Sequence, residues 1–199
     1  MIVLDIETSG LDPQKHGILS IGAIDLRFPS RRFYEEARLH DNEAYDPEAG
    51  KINGISEVMA RDRYKQSRQS LLRNFAEWYE SRPVKVIAGL HIQAFDVPFL
   101  SVKAEQSRVA LVLRKRSIDL HSLAYAKMLS LGKVIPLTNG WSVMDTDFIH
   151  PFCGLPKEPR PHNALHGAMW EAESMHRLIY GKPLLKEFSQ YTIPVYLIE

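Results

Sequence analysis

"VLDIETSGLDP", residues 3–13, places two carboxylates two positions apart at the end of an apolar run and follows them with turn residues. Residues two apart on a strand share a face, so Asp5 and Glu7 aim side by side. Two like charges that close repel each other unless something positive sits between them. A divalent cation is the economical explanation, and hard oxygen donors select Mg²⁺ or Mn²⁺ over zinc. A solvated strand face is the alternative that this pair leaves open. Thr8, Ser9 and Gly10 suit a strand that opens into a loop where a substrate can approach.

Working outward, 2–6 and 18–26 are Ile-, Val- and Leu-rich and are joined by "SGLDPQKHG", so they read as a strand pair. A third strand is expected within "RRFYEEARLH", then short helical pieces in "PEAGKINGISEVMA". From Ser70, Leu71, Leu72, Phe75, Trp78 and Tyr79 recur at helical spacing until Pro83. "VKVIAGL" at 84–90 reads as a buried strand and "FDVPFLSVKAEQ" as a helix. A further strand is expected near "ALVLRKR", with helices through "IDLHSLAYAKML" and "WSVMDTDFI". After the Pro-rich "PFCGLPKEPRP", the last helix is "HNALHGAMWEAESMHRLIY", with Leu165, Ala168, Ala172, Met175 and Ile179 as its core face. Strands in a meander followed by alternating helices and strands predict an α/β fold, a mixed central sheet flanked by helices.

The chain has 199 residues, 45% of them hydrophobic, which predicts one domain over 1–199. Twenty-five Lys and Arg against 24 Asp and Glu leave a formal net charge of +1. No whole-molecule field therefore draws the chain to nucleic acid or membrane, and a polyanion would need a local patch or a metal. The single cysteine, Cys153, cannot form an intramolecular disulfide and fits a reducing, cytoplasmic setting. The absence of a leader or a long apolar run predicts no membrane partner.

Two more pieces bear on the acid pair. "GLHIQAFDVPFL" puts Asp96 after a strand and at a helix start, where it can cap the helix or bind metal. His162 opens the last helix, and an imidazole there is either a surface or cap residue or a general base near neutral pH.

"DIETSGLDP", "ILSIGAI", "INGIS", "HIQAFDVPFL", "IDLHSLA" and "HNALHGAMWEAE" occur in the order seen in DEDD-type 3′–5′ exonucleases of the DEDDh branch, whose last motif contains His. Over roughly residues 1–180 the chain resembles this family, which includes the proofreading epsilon subunit of DNA polymerase III and ribonuclease T. The resemblance implies a ribonuclease H-like fold and metal-dependent removal of nucleotides from a 3′ end of DNA or RNA. It implies two divalent cations, Mg²⁺ or Mn²⁺, on Asp5, Glu7 and Asp96, with His162 as general base. Thr8, Leu11 and Phe99 would contact the terminal nucleotide, and His91 and Asp119 would support the site. The implied partner is a nucleic acid with a single-stranded 3′ end; a homodimer or a replication or repair partner stays open.

Two positions depart from the family. Ile92 stands where many relatives have Asn, which touches a supporting contact. Gly167 stands where they carry the fourth metal-binding Asp, five positions after the His. The chain is then a weakened enzyme, a non-catalytic single-strand-binding relative, or a protein inactivated by replacement at 167. Glu171, one helical turn beyond Gly167, either fills part of that gap as a ligand or faces solvent. Restoring a carboxylate at 167 is expected to tighten metal binding. "RDRYKQSR" with Arg73 and Tyr64 suits phosphates and bases, and equally suits a solvated loop.

Overall fold

The computed structural model describes residues 1–198. The apolar run around Asp5 is β1 (Ile2–Thr8), which pairs antiparallel with β2 (Ile18–Asp25) and parallel with β4 (Ile87–Gly89). With β3 (Arg32–Glu36) and β5 (Ile118–Asp119) at the edges, the sheet runs β3-β2-β1-β4-β5. The mixed sheet follows from chain order: tight connections keep β1, β2 and β3 antiparallel, and helical crossovers return β4 and β5 parallel to β1.

The period of two along β1 splits the core. Ile2, Leu4 and Ile6 pack with α3 (Arg68–Glu80) and α4 (Asp96–Gln106) through Phe75, Tyr79, Phe99 and Leu100. Val3 faces the other way, to α5 (Leu120–Ser130), α6 (Thr146–Phe152) and α7 (Ala164–Tyr180). Asp5 and Glu7 share the side of Val3 and so point toward α7. Helices α1 (Pro47–Asn53) and α2 (Glu57–Ala60) follow β3, and α8 (Val195–Ile198) lies beyond α7.

Helix α7 approaches the sheet closely. A Cβ on Gly22 of β2 would fall on the backbone of Ala164 at the helix start. Further along α7, Arg177 and Glu173 form a fully buried ion pair at 2.7 Å. Arg177 Nη1 also donates to the Cys153 carbonyl at 3.1 Å, and Glu173 Oε2 accepts from the Leu184 and Leu185 amides. These satisfied charges tie α7 to the chain on both sides of it.

Several expectations need correction. No strand forms over 110–116: Val109, Leu111 and Leu113 pack side chains against the core, while the edge of β4 is taken by Ile118 and Asp119. Trp141 is not helical but belongs to a hairpin of β6 (Leu137–Thr138) and β7 (Trp141–Ser142), whose Asn139 and Gly140 both have positive φ. That Asn-Gly pair is the signal for a two-residue hairpin. On α7, Ile179 is exposed and Leu178 is buried in its place.

Candidate active site

The C-terminal end of β1 gathers acids from three other places in the chain. Asp96 is the first residue of α4 and is buried; Phe95 occupies the capping position and makes no side-chain cap, so Asp96 is not spent as a cap. Glu171 projects from α7, is 6% exposed, and accepts the Leu90 N–H on Oε2 at 3.0 Å. The solvent-facing reading of Glu171 is therefore wrong: its helix face is the one that covers β1. The fifth acid, Glu158, comes from the Pro-rich segment before α7, and its side chain is 7% exposed.

Burial of these groups together is electrostatically unfavourable without a counter-charge. Burial, and then Glu7, Glu171, Asp96 and Glu158 in that order, hold Asp5 well above the ordinary carboxylate range. Glu7 is pushed up to about 8 by burial and by Glu158, with Asn53 opposing. Asp96 rises to about 8, chiefly by burial, and Glu171 is raised by burial and by Asp96. Glu158 rises to about 7 by burial, opposed by the Asn163 backbone amide. The arrangement favours protons or cations over five bare charges.

His162 precedes the helix rather than opening it, because Asn163 is the N-cap and accepts from the amides of Leu165 and His166. The backbone N–H of His162 donates to the Ile52 carbonyl at 3.1 Å, which brings α1 against the loop. Its imidazole is lowered from the ordinary value by burial and Arg160, and Nδ1 lies 3.9 Å from Glu158 Oε2. A neutral imidazole at rest is the form that can accept a proton.

Asp5, Glu7 and His162 border a cleft of about 250 Å³ whose apolar wall is Leu11, Ala49, Ile52 and Phe95. Leu11 is exposed at the lip, as a residue that meets a ligand can be. Thr8 Oγ1 already donates to the Gly10 carbonyl at 2.7 Å, and Asn53 Nδ2 donates to the Thr8 carbonyl at 3.1 Å, so the strand end is fixed. Phe99 does not reach the cleft: it is fully buried, and Phe95, 5.0 Å away between ring centres, presents the ring instead. The reason is helical phase, since Phe99 lies one turn into α4 on the side facing the sheet. His91 is exposed next to Leu90, and Asp119 caps α5 through the Ser122 amide. Glu158, Asn53 and Phe95 were not singled out from sequence; an acid four residues before the motif histidine was the available signal for the first.

Gly167 faces Asp5. A Cβ built there would fall on the Asp5 carboxylate. A side chain at 167 would therefore require the end of the Asp5 carboxylate to shift.

The donor chemistry fits hard divalent cations: carboxylate oxygens only, with Asp96 Oδ1 and Glu158 Oε1 buried and without a hydrogen-bond partner. Among the described residues, no three acidic, imidazole or thiolate groups are already closed around one ion-sized point.

In the basic stretch at 61–68, Arg61 pairs with Glu57, Lys65 with Glu36, and Arg68 with Glu43, while Tyr64 stands fully exposed. Most of its charge is thus already neutralised within the fold. Among the described residues, no helix is long and apolar enough to cross a membrane.

The profile of the RNase_T exonuclease family matches residues 2–174. No curated protein matches in sequence. Among solved structures, E. coli exonuclease I in complex with a dT13 oligonucleotide superposes with a TM-score of 0.67 at 17% identity, covering 88% of this chain and 40% of that one. The zinc-bound E. coli exonuclease I–ssDNA complex gives 0.68 at 18%, over 89% and 39%. A third exonuclease I structure, described as suggesting how processivity is achieved, gives 0.72 at 17%, over 89% and 40%. At these identities the likeness establishes the fold, a ribonuclease H-like sheet with its helices. This chain spans about two-fifths of the length of those proteins.

Proposed function

Because the chain belongs to the DEDD-type exonuclease family, we propose that it is a metal-dependent, cytoplasmic nuclease that removes nucleotides from the 3′ end of a single-stranded nucleic acid. The observation that carries this reading is the convergence of Asp5 with the buried Glu7, Asp96 and Glu171 at one strand end, with His162 at the rim of the same cleft.

Asp5, Glu7 and Asp96, with Glu171, would hold two Mg²⁺ or Mn²⁺ ions. When bound, such ions supply polarisation of the phosphate and stabilise both the attacking and the leaving oxygen. The protein's own residues do the rest. Leu11, Ile52 and Phe95 pack against the terminal nucleoside and orient its phosphate over the acids. The His162 ring takes the proton of the attacking water. His91 and Asp119 brace the β4 and β5 ends from outside. A cleft this small admits one terminal unit more readily than a continuous duplex, and the exonuclease I structures that share the fold hold oligonucleotides.

Gly167 supports a second reading, in which the same cleft binds a single strand without turning it over. One experiment separates the two: incubate the protein with Mn²⁺ and a single-stranded oligonucleotide carrying a free or a blocked 3′ end, and measure mononucleotide release. Release from the free end only, abolished by chelation, is expected. Equal degradation of both substrates would overturn the polarity, and binding with no release would favour the second reading.

A further inference from the structure

Glu158 has no role in the family pattern, yet its carboxylate lies beside His162, which borders the acidic cleft. It rises from the segment between α6 and α7, whose ends are anchored: Arg177 holds the Cys153 carbonyl, and Trp170 Nε1 donates to the Pro156 carbonyl at 3.0 Å. The anchoring turns an otherwise exposed Pro-rich loop so that Glu158 is buried beside His162, 3.9 Å from Nδ1 through Oε2. Its other oxygen, Oε1, is shielded from solvent and accepts no hydrogen bond. His162 in turn lines the same cleft as Asp5 and Glu7.

A buried carboxylate oxygen with no partner is costly and calls for a missing positive group. Among the described residues no Lys or Arg bonds Oε1, and the imidazole on the Oε2 side is held below its ordinary value. We propose that Glu158 is a cation ligand of the active site, and that with Glu7 and Asp5 it completes, from the loop, the charge that Gly167 leaves out of α7. This rests on the reading of the cleft as a two-metal nuclease site. Glu171 is less suited to that particular vacancy, since its Oε2 is already engaged by the Leu90 amide. Oε1 would be the oxygen that holds the cation, while Oε2 lies 3.9 Å from His162 Nδ1, so one carboxylate would link the metal site and the proton acceptor.

The test is Mn²⁺ binding by calorimetry and electron paramagnetic resonance on the full chain without nucleic acid, comparing wild type, Glu158→Gln, Glu158→Asp and Asp5→Asn. Removal of a supporting ligand typically costs about 10- to 100-fold in metal affinity, and Glu158→Gln is expected to weaken at least one Mn²⁺ by that order, with Glu158→Asp recovering part of it. Thermal melts of the metal-free variants verify that the loop change leaves the fold intact. If Glu158→Gln binds Mn²⁺ as wild type does but turns over slowly, Glu158 only positions His162 and the proposal is overturned. Unchanged binding and unchanged turnover would overturn it as well. Asp5→Asn separates this result from the larger reading: loss of Mn²⁺ there with none in Glu158→Gln leaves the nuclease site standing, whereas no loss in either variant removes both.

Discussion

The two walls of the cleft are held in different ways. Asp5 and Glu7 stand on β1, which is hydrogen-bonded to β2 on one side and β4 on the other. Glu158 and His162 stand on the loop at 153–163, held by a few contacts to α1 and α7. A sheet fixes the backbone of its residues by a ladder that no single side chain controls, whereas a loop is as precise as its anchors. Substitution on the strand wall should therefore alter charge without moving atoms. Changes on the helix and loop wall should move atoms first.

The largest effect should come from the strand wall. Asp5→Asn removes one acid of a site whose bound cations contribute several kcal/mol to the transition state, so activity should fall by about 10⁴-fold. Stability of the metal-free protein should move the other way. Asp5, Glu7, Asp96 and Glu171 have raised folded-state values, so the folded chain keeps protons that the unfolded chain releases. Metal-free stability should then be greatest below the unfolded carboxylate range, about 4. It should fall as pH rises toward about 8, where Glu7 and Asp96 ionise in the fold. Asp5→Asn should flatten that slope, and so should Mg²⁺. Chemical unfolding at a series of pH values, with and without metal, measures both. A wild-type slope of the opposite sign would show that the acids are not mutually destabilising.

Much of the strand wall was legible in the sequence because a strand has a strict period. Once "VLDIET" is a strand, Asp5 and Glu7 must share a face with Val3. The helix wall was legible in part: Gly167 and Glu171 follow from the period of 3.6, but whether that face meets the sheet or solvent depends on packing that one helix does not encode. Glu158 was invisible for a deeper reason. A Pro-rich loop has no period, and its course is set by distant partners such as Arg177 and Trp170. Phe95 and Phe99 lie one helical turn apart, and the period alone does not say which of the two rings reaches the cleft.

Gly167 sharpens the comparison because it is where the two walls touch. Gly167→Asp restores the family's residue, yet any Cβ there must displace the Asp5 carboxylate. The expected outcome is a folded protein with weaker Mn²⁺ binding. A misplacement of about 1 Å in a catalytic group costs up to about 10²-fold, which sets the upper bound of the loss in activity. The measurement is nucleotide release across a Mn²⁺ titration for both proteins. Tighter metal and faster release would mean that Asp5 rotates freely, and that the strand wall is less fixed than its ladder implies.

The smallest effect belongs to the lip of the strand wall. Leu11 follows β1 and is 76% exposed, so it contributes little packing to the folded protein. Its apolar side chain lines the cleft with Phe95 and Ile52, where a bound nucleoside would cover it. Leu11→Ala should change stability by less than about 0.5 kcal/mol, as expected for a surface position. Loss of partial apolar contact with one base is worth about 1 kcal/mol, so KM for a single strand should rise about fivefold while kcat stays close to wild type. Steady-state kinetics on a short oligonucleotide, set beside a thermal melt, distinguishes this from general damage. A fall in kcat at constant KM would place Leu11 in alignment of the phosphate rather than in holding the base. The exposed lip would then belong functionally with the acids beneath it.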